Sequence, residues 1–561
     1  MEYGDSPLPL RPVHALVDEA AARHGKRPAI DFLGKRYSYA RLAALVARAA
    51  RGFQFLGVRK GVRVGLCLPN CPYFVISYYA VLKAGGTVVN FNPLYAEPEL
   101  RRQIDDSGTV LMVTLDLKPI YPKVAAMLDT SALERVVICS MAAILPPGKS
   151  LLFAALRRSE MADIPADLRH IPFARLIAND GSVREVAIDP ARDLAVLQYT
   201  GGTTGEPKGA MLTHANLTAN TEQTRRWVPG IRPGQERIVG VLPLFHVFAM
   251  TVVMNLGVAV GAELILLPRF AIRELMRVVA RKRPTMLPGV PTLYAAVNAA
   301  LDGGGNDVST LRYCICGGAP LPLEMRSRFE RLTGCRLVEG YGLSETSPVA
   351  TINPIDGPAR DGSVGKPVAG TVVEVRERDN PARVLGPYEH GEICIRGPQV
   401  MAGYWQRPAD TAAAFADGAL RTGDVGYVDG DGFVFLVDRI KDVILCGGFN
   451  VYPRVVEEAL YRHPAVAEAV VIGIPDPYRG QSPKAFVRLK DGARADAEDL
   501  RRHLAGEISR IEMPGDIEIR AELPKTAVGK LTRAELLAEE LAKAAAAPPH
   551  SPIPSALETR R

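Results

Sequence analysis

The sequence predicts an α/β protein of several domains, with a large N-terminal part built on mainly parallel, helix-flanked sheets and a smaller α+β part at the C-terminus. Three observations carry this. At 561 residues the chain exceeds the size at which a single core keeps growing. Short apolar runs alternate with helical patterns through the first four hundred residues, as in sheets covered by helices. After LVDRIKD the pattern changes: Gly447, Gly448, Asn450 and Pro453 lead into a shorter α+β region. The boundary is therefore expected near Asp438, dividing the chain into 1–437 and 438–544. The tail 545–561, AAAPPHSPIPSALETRR, is rich in Ala, Pro and Ser and is expected to be disordered.

Taken in order, Leu42, Leu45, Val46, Ala49, Phe53 and Leu56 recur at three- and four-residue steps, with Arg41, Arg48 and Arg51 opposite them. This is an amphipathic helix whose basic side is expected to face solvent. VRVGLCLPN, PYFVISYYAVLKAGG and TVVNFNPL then read strand, helix, strand, followed by PELRRQIDDSG and VLMVTL. The alternation resumes at LAVLQYT, IVGVLPL, GAELILLP, IRELMRVVARKR and LRYCICGG. Between these halves Met141–Ile171 carries Pro-Pro-Gly and a short apolar patch beside Arg157 and Arg158. It reads either as a surface excursion or as a patch that touches anionic lipid. Ile238–Ala262 has no Asp, Glu, Lys or Arg and is long enough to span a bilayer. Pro243, His246, Asn255 and the glycines at 240, 257 and 261 interrupt it, so a buried strand and helix lining an apolar cavity is expected instead.

Composition narrows the function classes. An apolar fraction of 47%, a charged fraction of 23% and a mean hydropathy of +0.05 are those of an ordinary globular protein. The formal charge of +7 is spread over 68 basic and 61 acidic residues, which suits anionic substrates and is too diffuse for nucleic acid. The eight cysteines lie mostly in apolar runs and no secretory signal is evident, so reduced core thiols in a cytoplasmic protein are expected. The pairs Cys67/Cys71 and Cys314/Cys316 lack zinc-site spacing.

Chemistry enters at YTGGTTGEPKG, which follows the apolar strand LAVLQ and precedes the helical HANLTANTEQTRRW. A flexible Gly/Thr loop between strand and helix can wrap a polyphosphate with backbone N–H groups, the hydroxyls of Thr200, Thr203 and Thr204, the backbone of Gly201, Gly202 and Gly205, and the charge of Lys208. It is not a Walker loop, because Gly209 and Ala210 follow the lysine where Ser or Thr would be required. Further along stand CGGAP, with Gly317, Gly318 and Ala319; VEGYGLSET; TGDVGYVD; VDRIKDVILCGGFNVYP; and LPKTAVGKLTR.

This loop resembles the signature of the adenylate-forming superfamily of acyl-CoA synthetases, adenylation domains and luciferases, and the other strings, in this order, resemble its remaining motifs. The resemblance runs from about Leu16 to Glu539. It implies an N-terminal adenylation domain with a small β subdomain and a mobile C-terminal lid. By that likeness Gly340, Tyr341 and Gly342 border adenine, with Tyr341 stacking on it. Ser344 meets the α-phosphate, and Glu345 and Thr204 serve Mg²⁺, a hard cation that favours carboxylate and hydroxyl oxygen. Asp424 and Arg439 hold the ribose, Asp438 and Lys441 flank the hinge, and Gly447, Gly448 and Phe449 border the CoA tunnel. Lys530 is the catalytic lysine, acting with Lys208 and Glu345. The chemistry calls for such cations because a carboxylate attacking an α-phosphate brings two anions together.

PLFHVFAM resembles the segment in which His246 borders the acyl site, and Met250 stands where some long-chain synthetases carry a tryptophan gate. The likeness is greatest to bacterial long-chain fatty acid–CoA ligases. It implies a ligase that converts ATP, a medium- to long-chain fatty acid and CoA into acyl-CoA, AMP and pyrophosphate through an acyl-adenylate. Dicarboxylic or aryl acids, and a fatty acyl-AMP ligase loading a carrier protein, are the alternatives. Cofactors would be ATP, Mg²⁺ and CoA; the partner a fatty acid or another apolar carboxylic acid. A homodimer and peripheral contact with the inner face of the membrane complete the expectation. An idle scaffold on this fold would have lost Lys530, Glu345 or Asp424, and all three are present.

Overall fold

The computed structural model describes residues 7–200, 207–304, 307–357, 360–446, 449–476, 479–526 and 529–546. They group into two compact units, a larger one up to Leu436 that also takes in Gly529, and a smaller one from Val437 onward.

The larger unit holds two sheets. One runs, edge to edge, through His170–Pro172, Arg135–Cys139, Thr109–Leu115, Arg63–Cys67, Thr87–Asn90, Leu194–Thr200 and Lys208–Thr213. All neighbours are parallel except the last pair. Thr87–Asn90 is buried at every position, as a parallel strand covered on both faces must be. The helix Tyr39–Phe55, which packs on the helix Pro72–Lys83, starts where the Ser38 hydroxyl accepts the Arg41 N–H, and it turns Leu42, Val46, Ala49 and Phe53 inward. Its neighbour Pro72–Lys83 is apolar all round and buried along its length up to Leu82.

The second sheet begins Lys35–Ser38, Pro28–Phe32, Glu263–Leu266, Arg237–Gly240, Met286–Gly289, Tyr313–Gly317 and Leu337–Gly342. From Pro28–Phe32 onward these are parallel. It then turns antiparallel through Val349–Ile352 and Ser363–Pro367, and continues to Val434–Arg439, Ala419–Val428, Gly391–Arg396 and Val372–Arg376. A small β layer thus grows directly from the strand that carries Tyr341.

Three expectations are refined here. The phosphate loop does not run from strand to helix. Thr200 pairs with Lys208 and Tyr199 with Gly209, so the loop joins two antiparallel strands. Thr213 Oγ1 accepts the Asn216 N–H and fixes the next helix at His214–Trp227, leaving Lys208–Thr213 extended. The uncharged stretch is a strand, Arg237–Gly240, followed by Val247–Ala249, a π-helical turn at Met250–Asn255, and Leu256–Ala259. Among the described residues no helix is long and apolar enough to cross a membrane. Met141–Ile171 contains a helix, Pro147–Leu156, that leaves Leu151, Leu152 and Leu156 exposed.

The smaller unit packs the helices Pro453–Tyr461 and Ala497–Ala505 on a sheet ordered Phe449–Val451, Ile444–Cys446, Gly480–Leu489 and Val466–Asp476, with Asp516–Ile519 alongside Gly480–Leu489. Ala534–Ala546 forms its final helix.

Candidate active site

Parallel strands direct their C-terminal ends to one edge of a sheet, where ligands of such folds bind. Tyr313–Gly317 and Leu337–Gly342 end side by side there, with Gly317 opposite Gly340. A Cβ on Gly317 would lie 3.3 Å from the Gly340 carbonyl and 3.4 Å from the Phe248 ring, and one on Gly342 would lie 1.8 Å from the Pro348 carbonyl. These glycines let backbone and ring approach where side chains would collide. Gly318 has a φ of +83°, and Ala319 is half-buried beyond it.

Tyr341 and Asp424, distant in sequence, meet here. The tyrosine hydroxyl donates to Asp424 Oδ2 at 2.5 Å. Asp424 is buried in the long strand Ala419–Val428, and its own N–H donates to Thr422 Oγ1. Ser344 and Glu345 lie in a single 3₁₀ turn after Gly342. The Glu345 carboxylate accepts the Tyr404 hydroxyl at 2.8 Å, and its carbonyl accepts the Met401 N–H. Burial first and the Glu345 charge second raise the Tyr404 hydroxyl far above its usual range, so it stays a proton donor. Lys208, at the start of its strand, places its ammonium 2.6 Å from Asp410 Oδ1 and 5.5 Å from the centre of the Tyr404 ring. The segment bearing Tyr404 is tied to the lysine strand by backbone bonds from Met211 to Gly403, Ala402 to Met211 and Trp405 to Gly209.

At the expected acyl side, His246 Nδ1 accepts the Phe248 N–H at 3.3 Å, and Phe248 is the ring that faces Gly317. Met250 is fully buried; its sulfur accepts the Asn90 amide at 3.4 Å. Asn90 also donates to Gln198 Oε1, and Gln198 donates to the Phe245 carbonyl. Thus the residues expected at the acyl side connect to the strand Leu194–Thr200, which leads into the expected phosphate loop.

In the smaller unit Asp438 is buried and acts through the backbone: its oxygens accept the Arg439 and Arg454 N–H groups, both at 2.8 Å. Burial raises its carboxyl above the usual carboxylate range, although Arg533 opposes the shift. The Lys530 carbonyl accepts the Thr526 N–H. Burial and then the Arg439 guanidinium lower its ammonium to about 8. Phe449 is exposed. Gly201, Gly202, Thr203, Thr204, Gly205, Gly447 and Gly448 lie outside the described residues.

The larger unit therefore brings together Lys208, Gly317, Gly340, Tyr341, Gly342, Ser344, Glu345 and Asp424. Sequence reasoning passed over Tyr404 and Asp410. Their string GYWQRPAD is visible, yet nothing in its spacing says that it folds back on Lys208.

Residues 17–405 match the AMP-binding enzyme family, and residues 455–530 match the AMP-binding enzyme C-terminal domain. The chain belongs to the AMP-binding enzyme family. It is 44% identical over 537 residues to a long-chain-fatty-acid–CoA ligase of Bacillus subtilis (strain 168), covering 95% of both chains. With the ligase of the same description from Salmonella typhimurium it shares 37% over 540 residues, 94% of each. Its fold matches the crystal structure of an anthranilate CoA ligase in complex with anthranoyl-AMP, with a TM-score of 0.86 and 25% identity over 97% of this chain and all of that one. The family matches take in the strands that carry Lys208, Gly317 and Tyr341, and they reach Lys530.

Proposed function

We propose that this AMP-binding enzyme is a medium- to long-chain fatty acid–CoA ligase, which joins ATP and a fatty acid into an acyl-adenylate with release of pyrophosphate, then transfers the acyl group to CoA with release of AMP. The observation that carries the reading is the 44% identity, across 95% of both chains, to a long-chain-fatty-acid–CoA ligase. The site supports it. The glycines at 317, 340 and 342 let the strand ends pack closely on Phe248 and the Pro348 segment, and Tyr341 and Asp424 stand together as base and ribose contacts would.

In the first step the acid's carboxylate oxygen attacks the α-phosphorus and the bond to pyrophosphate breaks. Lys208 offsets charge on the triphosphate. Lys530, carried on the smaller unit, draws carboxylate and α-phosphate together. No side-chain nucleophile is needed, and positioning supplies most of the rate. Glu345, held by Tyr404, is the carboxylate that would hold Mg²⁺. When bound, the cation would screen the triphosphate's charge. In the second step the thiol sulfur attacks the acyl carbonyl and the bond to AMP breaks. The smaller unit, turning about Asp438–Lys441, brings Lys530 for the first step and the Phe449 side for the second.

An apolar acid agrees with the buried, uncharged surroundings of Met250. The fold shared with an anthranilate CoA ligase makes aryl acids the second reading. Pyrophosphate release across saturated acids of 6 to 18 carbons, with benzoate and ferulate alongside, decides between them. Rates that peak at 10 carbons or more support the proposal, and a peak on an aryl acid replaces it.

Peripheral membrane contact through Pro147–Leu156 is part of the same proposal. The exposed Leu151, Leu152 and Leu156 stand beside Arg157 and Arg158. Sedimentation with phosphatidylglycerol vesicles should carry down the enzyme but not a variant with these three leucines changed to serine. Equal sedimentation of both removes the assignment.

A further inference from the structure

The lysine of the phosphate loop already has an anion. Asp410 Oδ1 lies 2.6 Å from Lys208 Nζ. The aspartate sits in the first turn of the helix Pro408–Ala414. The chain around it is fixed: Tyr404 N–H donates to Thr411 Oγ1, the Thr411 hydroxyl donates to the Arg407 carbonyl, and the Trp405 indole donates to the Asp106 carbonyl. The pair is partly open to water, with side-chain exposures of 22% and 35%, so it adds little to folding. Its consequence lies in binding. A triphosphate oxygen and the Asp410 carboxylate would compete for one ammonium, and two anions that close repel each other.

We propose that Asp410 is a positioning residue for Lys208: it holds the ammonium in the ligand-free site, is displaced when triphosphate binds, and recaptures the lysine as pyrophosphate leaves. The pairing therefore weakens ATP binding somewhat and hastens product release. This inference rests on the reading of Lys208 as a triphosphate contact.

The test uses the full-length enzyme and its Asp410→Asn, Asp410→Glu and Lys208→Ala variants. The KM for ATP and the inhibition constant of pyrophosphate are measured at low and high salt. Asp410→Asn should lower both constants about threefold at low salt, the equivalent of a partly exposed ion pair. The difference should shrink at high salt, and Asp410→Glu should return both constants toward wild type. A purely structural role would leave the pyrophosphate constant unmoved or raise the KM. An Asp410→Asn enzyme whose KM for ATP is unchanged or raised overturns the proposal. If Lys208→Ala leaves both constants at their wild-type values, the phosphate role of Lys208 itself is wrong. A loss in that variant with no gain in Asp410→Asn rejects the Asp410 proposal alone.

Discussion

Tyr341 and Asp424, more than eighty positions apart, share a hydrogen bond of 2.5 Å from phenol to carboxylate. The bond joins the end of a parallel strand to the antiparallel β layer that continues the same sheet. It sets the tyrosine ring at a fixed distance from the carboxylate expected to take the ribose hydroxyls.

Removing the two ends of that bond should have unequal effects. Tyr341→Phe keeps the ring and loses one charge-assisted hydrogen bond, so the KM for ATP should rise roughly three- to tenfold. Asp424→Ala removes the proposed acceptor for the ribose as well, and kcat/KM for ATP should fall by about a hundredfold or more. Steady-state kinetics with ATP varied distinguish the two, and equal losses would show that the carboxylate serves only the tyrosine.

Tyr404→Phe should act on the cation. Without its hydroxyl the Glu345 carboxylate loses the donor 2.8 Å away that orients it. The Mg²⁺ concentration for half-maximal adenylation should rise by about tenfold. A magnesium titration at saturating ATP checks this; an unaltered midpoint would mean that Tyr404 has no part in orienting the glutamate.

Gly342→Ala should damage the fold as well as the site. The added Cβ would stand 1.8 Å from a backbone carbonyl, which no rotamer change can relieve. A loss of about 3 kcal/mol or more is expected, at the severe end for a point substitution. Thermal unfolding followed by circular dichroism reads it, with Gly317→Ala as the control that meets its neighbours at 3.3 Å and farther.

The larger unit should also be sensitive to acid. Burial, then the charge of Lys83, lowers the His14 imidazole to about 4. Burial, then His14, lowers His214 to about 3, and His214 Nδ1 accepts the Val13 N–H, which requires the neutral ring. The unfolded chain binds protons at these positions from about pH 6.5, where the folded chain does not. Stability present above that value is lost as the pH falls toward 4. At pH 5 the loss is on the order of 2–4 kcal/mol for the two groups. Calorimetry of wild type and His214→Gln between pH 7 and 5 should show a shallower decline in the variant.

What the sequence revealed depended on how local each signal was. Helix caps and apolar periodicity are local, so the helix carrying Leu42, Val46 and Phe53 and the alternation around Thr87–Asn90 were legible. The phosphate loop was legible as glycines and threonines before a lysine. That it turns back into a strand was not, because Lys208–Thr213 is extended by pairing with Leu194–Thr200 and by bonds to Gly403. Asp410 and Tyr404 were invisible for the same reason: they reach Lys208 and Glu345 from 202 and 59 positions further along the chain, through contacts that only the folded sheet brings together. Asp438 was expected at a hinge; its buried carboxylate binding the Arg439 and Arg454 amides is a tertiary fact that no spacing encodes.

The central claim is tested most directly by incubating the purified enzyme with ATP, Mg²⁺, oleate and CoA and identifying every product by mass spectrometry. Oleoyl-CoA, AMP and pyrophosphate in equal amounts, with oleoyl-AMP accumulating only when CoA is omitted, is the predicted result. ADP and phosphate in place of AMP and pyrophosphate, or oleoyl-AMP persisting with no oleoyl-CoA in the presence of CoA, would contradict it.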